Sequence, residues 1–91
     1  MTVIWQAAAH ADLARLVRYI ADENPLAARH VTRELILAGD SLALFPRRGR
    51  PGRAPGTREL VTVVPYVIVY EVDETDTVMI LRVWHGAQDR P

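Results

Sequence analysis

The chain has 91 residues, no cysteine, and equal numbers of basic and acidic side chains, eleven of each. A chain of this length forms one domain, residues 1–91, with no room for a separate catalytic domain. The absence of cysteine excludes disulfides, thiol catalysis and thiolate zinc sites. No apolar stretch approaches the roughly 20 residues of a membrane span, and residues 1–6 lack the features of a secretion signal, so we expect a cytoplasmic protein with no membrane contact.

Basic and acidic residues are unevenly distributed along the chain, although their total numbers are equal. Residues 46–70 contain five arginines and one acid, Glu59, whereas residues 71–91 contain two arginines and five acids. All the basic residues are arginine and none is lysine. Genomic base composition would explain this preference; alternatively, the arginines recognise carboxylates or phosphates, whose geometry the guanidinium group matches.

The first half of the chain predicts a short strand and two helices. Residues 2–5 are apolar and extended in character, which indicates a strand at an edge or beside the main sheet. Residues 7–22 carry apolar side chains at Leu13, Leu16, Val17 and Ile20, the spacing of one helical face. Asn24-Pro25 both ends this helix and starts the next, because asparagine is a good N-cap and proline favours the first helical position.

The second helix is predicted over residues 25–44 from a stripe of apolar residues, namely Ala28, Val31, Leu35, Ala38, Leu42 and Phe45. The small residues in this stripe allow the first helix to approach closely. We expect an antiparallel helical hairpin that lies on one face of a sheet. Gly39 lies inside this helix, where it costs roughly 1 kcal/mol relative to alanine, and the sequence offers no reason for it.

A basic loop is predicted to follow the second helix. Residues 46–56, PRRGRPGRAPG, contain only proline, glycine, alanine and four arginines, Arg47, Arg48, Arg50 and Arg53. Since none of these side chains suits a core, we expect an exposed connection from helix to sheet. It is either a solvated linker or a surface for a polyanion or an acidic partner.

Three β-branched runs then predict an antiparallel meander, with strands at residues 58–64, 66–72 and 78–84. The predicted fold is therefore α+β in the order βααβββ, with the helical hairpin packed on the C-terminal three-stranded meander. Both faces of the second and third strands are apolar, as in strands that are buried on both sides. The helices can cover one face, so we expect another molecule or a second copy of this chain to cover the other.

The second half of the chain contains the blocks G-T-R-E-L, P-Y-x-I-x-Y and I-L-R-V-x-H-G-A-Q-D-R, and A-x-x-D-L-x-x-L-x-x-Y-I-A-x-x-N-P-x-A-A precedes them. In this order the blocks resemble the RelE/ParE superfamily of toxins, and its ParE, or plasmid-stabilisation, branch in particular. The resemblance implies a type II toxin that is neutralised by a ParD-like antitoxin with a ribbon-helix-helix DNA-binding part. It also implies that DNA is contacted only through the antitoxin complex, and that the toxin poisons DNA gyrase without being an enzyme.

We expect the antitoxin to contact the uncovered sheet face and the first helix, including Tyr19, Tyr70, Arg82 and Trp84. Arg82 interrupts an apolar strand, and a cation there needs a partner or solvent. It could pair with Glu59 or Glu71 within the fold, or anchor a carboxylate of the bound antitoxin.

A ribosome-dependent mRNA endonuclease is the alternative function, because the superfamily includes ribonucleases. Its candidate residues are Arg58 and Arg82 for the phosphate and Glu59 or His85 for the protons. Val67 stands where such members usually carry a basic residue, which argues against this alternative. A third hypothesis is an inactive member that only binds its antitoxin. No His, Asp or Glu residues have metal-ligand spacing and no glycine-rich phosphate loop is present, so we expect neither a metal nor a cofactor.

Overall fold

The computed structural model describes residues 1–86. Its first half contains β1 (Thr2–Trp5), α1 (Ala7–Glu23), α2 (Pro25–Asp40) and a short 3-10 helix (Ser41–Ala43). Its second half contains β2 (Arg50–Pro51), β3 (Thr57–Leu60), β4 (Tyr66–Val72) and β5 (Thr77–His85). The end of the H-G-A-Q-D-R block, residues 87–90, lies outside the described residues.

The strands form one five-stranded sheet in the order β1-β5-β4-β3-β2. β1 runs parallel to β5, and the other three neighbouring pairs are antiparallel. The predicted α+β architecture is confirmed, including the meander and the N-terminal strand beside it. β2 is an additional edge strand that the sequence did not predict.

The junction between the two helices lies where Asn24-Pro25 predicts it. Asn24 Oδ1 accepts a hydrogen bond from the Ala27 amide at 3.0 Å, and the Asn24 amide donates to the Ile20 carbonyl at 2.8 Å. One residue therefore caps both helices. α2 ends at Asp40, earlier than the predicted residue 44, because the chain tightens into the 3-10 helix. Within residues 1–86, neither helix is long and apolar enough to cross a membrane.

The helices cover one face of the sheet, as predicted. Ala9, Leu35, Ala38 and Leu42 pack against buried sheet residues, which are Leu60, Ile68, Tyr70, Val78, Ile80 and Val83. On the opposite face, no helix within residues 1–86 covers the sheet. Ile4 on that face is 43% exposed, and its neighbour Met79 is half-buried. This face is therefore open around β1 in the isolated chain, whereas Val67 on β4 is only 4% exposed.

Gly39 has a packing role that the sequence did not reveal. It is buried in α2 where Trp5 of β1 crosses the helix. A Cβ atom at this position would overlap Cζ2 of Trp5 and lie 2.9 Å from Cδ1 of Ile80. Glycine is therefore present because the indole ring occupies the space of a side chain.

Two predictions for the second half are wrong, namely the end of the first meander strand and the full exposure of the basic loop. The first meander strand ends at Leu60 rather than residue 64, because residues 61–65 are used in the reversal, which the Tyr66 amide closes on the Val63 carbonyl at 2.8 Å. The basic loop is not wholly exposed either. Arg50–Pro51 pairs with β3, and Gly49 is buried. A turn and an edge pairing thus replace the expected strand end and open loop.

Candidate functional site

A groove runs between α1 and the end of β5, and we call it the α1–β5 groove. Its volume is about 740 Å³, and it is partly open to solvent. Its lining includes aromatic, basic and acidic side chains, among them Asp12, Arg15, Arg18, Tyr19, Tyr66, Arg82, Trp84 and His85. Three of the four predicted antitoxin-binding residues, Tyr19, Arg82 and Trp84, therefore line one surface.

The topology of the sheet explains why α1 contributes an acid to this groove. β1 pairs with β5 only as far as Ile80, so among residues 1–86 no strand lies beside the same edge of β5 beyond that residue. α1 passes along this open edge, and Asp12 Oδ2 accepts a hydrogen bond from the Val83 amide at 3.0 Å. The carboxylate satisfies a backbone donor that a longer β1 would have paired.

Asp12 also holds Arg82. Arg82 Nε donates to Asp12 Oδ2 at 2.7 Å, and Arg82 Nη2 donates to Oδ1 at 3.0 Å, which is the two-pronged geometry of a strong ion pair. Arg15, one helical turn along α1, donates to Oδ1 as well. A β-bulge that leaves Leu81 without a partner on β4 directly precedes Arg82. The bulge and the helix together fix the direction of the guanidinium group.

These contacts set the ionisation of the pair. Burial raises the pKa of Asp12, but the hydrogen bonds from Arg82 and the Val83 amide, with the charges of Arg82 and Arg15, outweigh burial and hold the pKa below its usual value. The hydrogen bond to Asp12 correspondingly raises the pKa of Arg82. Both groups are charged at neutral pH.

The partner that the sequence suggested for Arg82 is wrong. Glu59 and Glu71 were the candidates, whereas the structure pairs Arg82 with Asp12, which is only 4% exposed. Glu59 instead pairs with Arg50, whose Nη2 lies 3.0 Å from Glu59 Oε1. Asp12 lies outside the apolar stripe of α1, which is formed by Leu13, Leu16, Val17 and Ile20, so its position in the sequence does not indicate that it is buried. The only signal for its role was that Arg82, in an apolar strand, needed a partner from somewhere.

The predicted antitoxin-binding residues differ in exposure. Tyr19 is 78% exposed on α1, and the ring of Trp84 lies under the Arg82 guanidinium, 4.9 Å from ring centroid to Cζ. Tyr70, in contrast, is fully buried, and its hydroxyl is engaged by the Pro46 carbonyl and the Gly49 amide. The prediction that Tyr70 contacts an antitoxin is wrong, because its side chain belongs to the core under the basic loop.

The ribonuclease candidates do not converge. Arg82 and His85 line the α1–β5 groove, and the ring of His85 makes an edge-to-face contact with Tyr66 at 5.7 Å between centroids. Arg58 lies two strands away, in register with Tyr70. His85 is in register with Tyr66 on the intervening strand β4, and the four residue steps from Tyr66 to Tyr70 span about 13 Å at about 3.3 Å per residue. The Arg58 guanidinium donates to the carbonyls of Gly49 and Arg47, so it supports the loop.

The loop arginines have different surroundings. Arg50 is bound to the buried Glu59, and Arg48 Nη1 donates to Ser41 Oγ at 2.8 Å. Arg47 and Arg53 also lie on this exposed segment. In the part of the chain that the structure describes, no group of three or more His, Cys, Asp or Glu residues could hold a metal ion.

Comparison with known proteins identifies the family. Residues 3–90 match the profile described as the ParE toxin of type II toxin-antitoxin system, parDE. A curated relative, Toxin RelE2 of Caulobacter vibrioides, is 45% identical over 86 residues, covering 94% of this chain and 96% of its own.

Two solved structures have the same fold. A chain of the chromosomal ParDE system from P. aeruginosa has a TM-score of 0.83 at 24% identity, covering 93% of this chain and 95% of its own. A chain of the toxin-antitoxin complex RelBE2 from Mycobacterium tuberculosis has a TM-score of 0.70 at 28% identity, covering 92% and 95%. The family match over nearly the whole sequence shows that this chain belongs to the ParE toxin family of type II toxin-antitoxin systems.

Proposed function

We propose that a ParD-like antitoxin, with a ribbon-helix-helix DNA-binding part, neutralises this toxin by occupying the α1–β5 groove. The proposal is supported by the ParE family match and by the two similar structures, which come from toxin-antitoxin systems. The groove adds a chemical argument. It combines the exposed ring of Tyr19 with Trp84, Arg15 and Arg18, and aromatic and arginine side chains are enriched where protein partners bind.

The groove and the open sheet face together offer a large surface to such a partner. A segment that wraps both would bury on the order of 2,000 Å², the size of a stable interface. Arg15 is 60% exposed and Arg82 39% exposed, so each keeps donors for a carboxylate of the partner. The bound segment should therefore place apolar side chains over Tyr19 and Trp84 and acidic side chains beside the arginines.

We further propose that the target of the free toxin is DNA gyrase and that the toxin is not an enzyme. The observation that carries this proposal is the dispersal of the ribonuclease candidates. Arg82 is held by Asp12, and Arg58 is engaged with loop carbonyls two strands from His85. A ribonuclease needs its proton-transfer groups and its phosphate-binding cations around one phosphate.

The alternative, a ribosome-dependent mRNA endonuclease, has one observation in its favour. Arg82 and His85 share the groove with Arg15 and Arg18, so cations do lie near one candidate general acid. The curated relative named RelE2 is consistent with this alternative. A member that binds its antitoxin and has no target is the third possibility.

Purified components distinguish these functions. The toxin is incubated with gyrase, supercoiled plasmid and ATP, and trapped cleavage complexes are measured as linear DNA after denaturation. We expect linear DNA to increase with toxin concentration, and the same toxin pre-bound by antitoxin to produce none. A parallel reaction with ribosomes and a translated mRNA should leave the message intact. Cleaved mRNA with unaffected gyrase would contradict the proposal, and no effect in either reaction would indicate the inactive member.

A further inference from the structure

The segment that follows α2 exposes two large apolar side chains next to arginines. Leu44 is 79% exposed and Phe45 is 62% exposed. Arg47, Arg48 and Arg50 follow within a few residues and are exposed as well. We call these five residues the loop patch. None of them lines the α1–β5 groove.

Hydrogen bonds hold the apolar and basic parts of the loop patch side by side. The amides of Leu44 and Phe45 both donate to the Ser41 carbonyl at 3.1 Å, and the Arg48 amide donates to the Phe45 carbonyl at 3.2 Å. The Arg48 side chain returns to Ser41, where Nη1 donates to Oγ at 2.8 Å. Phe45 and Arg48 are therefore neighbours in a closed turn.

Hydrogen bonds from two side chains of the sheet, Tyr70 and Arg58, also hold the turn in place. The Tyr70 hydroxyl donates to the Pro46 carbonyl at 2.7 Å and accepts from the Gly49 amide at 2.9 Å. Arg58 Nη1 donates to the Gly49 carbonyl at 2.8 Å. A loop made of glycine, proline and arginine would otherwise be flexible, so these contacts reduce the conformational entropy that a partner would have to remove on binding.

The charge of the loop patch identifies the chemistry of its partner. Arg50 is neutralised by the buried Glu59, whereas the ion pairs described in residues 1–86 include no carboxylate for Arg47 or Arg48. Two cations beside two exposed apolar side chains complement a protein surface with carboxylates next to an apolar pocket. A nucleic acid backbone would satisfy the arginines but would leave Leu44 and Phe45 in water.

We propose that the loop patch is the surface through which this toxin binds its target protein, DNA gyrase, at a site with carboxylates beside an apolar pocket. This inference rests on the proposed function. It assigns the target to a surface that shares no residue with the α1–β5 groove. Antitoxin and target then contact different residues of the toxin, so an antitoxin bound in the α1–β5 groove neutralises the toxin by blocking the approach of gyrase rather than by occupying its contact residues. Phe45 and Arg47 determine the affinity for gyrase without contributing to the affinity for antitoxin.

The test is the affinity of purified toxin for the gyrase holoenzyme, measured by biolayer interferometry. Phe45→Ala and Arg47→Glu should each weaken binding about tenfold or more, as expected when a central interface residue is lost. Leu26→Ala and Arg29→Glu make similar changes at exposed positions on α2 and should bind gyrase as the wild type does. All four variants should keep their affinity for the antitoxin within about twofold, which also shows that they fold.

The outcomes separate this inference from the proposed function. If the wild type binds gyrase and both loop variants bind equally well, the loop patch is not the target surface. If the loop variants lose affinity for a short DNA duplex but not for gyrase, the patch is a nucleic acid site and the inference is wrong. If the wild type itself does not bind gyrase, the proposed function fails, and the assignment of gyrase to this patch fails with it.

Discussion

The carboxylate of Asp12 and the guanidinium of Arg82, 70 residues apart in the chain, join α1 to β5 through hydrogen bonds of 2.7 and 3.0 Å. The same carboxylate accepts the Val83 amide at 3.0 Å. The Asp12 side chain thus accepts a hydrogen bond from the unpaired edge of β5, connects α1 to that strand and orients the Arg82 guanidinium in the α1–β5 groove. This contact therefore contributes both to the packing of the fold and to the geometry of the candidate site.

Asp12→Ala should lower the free energy of unfolding by about 2–4 kcal/mol, because it leaves the buried Val83 amide and the Arg82 cation without their acceptor. The lower part of this range is favoured by the exposure of the Arg82 side chain, 39%, which allows partial hydration. Urea unfolding followed by circular dichroism measures the change. Arg15→Ala is the control and should cost less than about 1 kcal/mol, since Arg15 is 60% exposed. Equal effects of the two substitutions would contradict this account.

The stability of the protein should fall in acid, partly through Asp12. Its folded pKa lies below the ordinary value of 3.8, so its contribution is complete above that value and is lost as the pH falls through the folded pKa. Asp73, whose pKa is lowered by hydrogen bonds from Thr75 and Thr77, acts in the same direction. In Asp12→Asn, the unfolding free energy should therefore fall less steeply below about pH 4 than in the wild type. The same measurement on Asp73→Asn gives the part of the decline that is due to Asp73. An unchanged slope in Asp12→Asn would show that the ion pair does not couple to folding.

Tyr70→Phe should loosen the loop patch while leaving the sheet intact. The substitution removes the hydroxyl that bridges Pro46 and Gly49, and leaves the buried Gly49 amide without an acceptor, at a cost of about 1–3 kcal/mol. The substitution should accelerate amide hydrogen exchange at Gly49 and leave the exchange rate at Ile80, a core residue of β5, nearly unchanged. Uniformly faster exchange at both positions would indicate global destabilisation instead.

Gly39→Ala should destabilise the protein by about 1–3 kcal/mol, although alanine is the better helix former by about 1 kcal/mol. The added methyl group would overlap the Trp5 ring and lie 2.9 Å from Ile80 Cδ1. Thermal unfolding of Gly39→Ala, Trp5→Phe and the double variant measures the coupling. In the double variant, the smaller phenylalanine ring should recover part of the stability that Gly39→Ala loses. Stabilisation by Gly39→Ala in the wild-type background would contradict the packing seen here.

Tyr19→Ala should weaken antitoxin binding about fivefold or more without changing stability by more than about 0.5 kcal/mol. Tyr19 is 78% exposed, so its removal disturbs no core packing. Isothermal titration with the cognate antitoxin measures the affinity. Leu26→Ala, at a residue that is 75% exposed on α2 and does not line the groove, should bind normally. Normal binding by Tyr19→Ala would remove the α1–β5 groove as the antitoxin site.

The elements that were predictable from sequence depend on short-range signals. Asn24-Pro25 marks the junction between the helices, and the β-branched runs mark β4 and β5, so these features could be placed to within a residue or two. β2 could not be placed, because a two-residue strand exists only through its pairing with β3.

The site was less predictable, because its contacts join distant parts of the chain. Arg82 required a partner, but a single sequence does not show which of eleven acids is near it. Tyr70 occupies a strand position that could face either the core or solvent, and only the loop above it determines which. Gly39 likewise has no local explanation, since the Trp5 ring that excludes a side chain comes from β1.

Macromolecular synthesis after induction of this chain alone in a bacterium distinguishes a gyrase poison from a ribonuclease. Uptake of labelled thymidine and labelled methionine is followed over the first minutes. A gyrase poison predicts an early fall in DNA synthesis while protein synthesis continues, and co-expression of the antitoxin should abolish the fall. An early fall in protein synthesis with DNA synthesis unchanged would contradict the account and make Arg58, Arg82 and His85 the first residues to substitute.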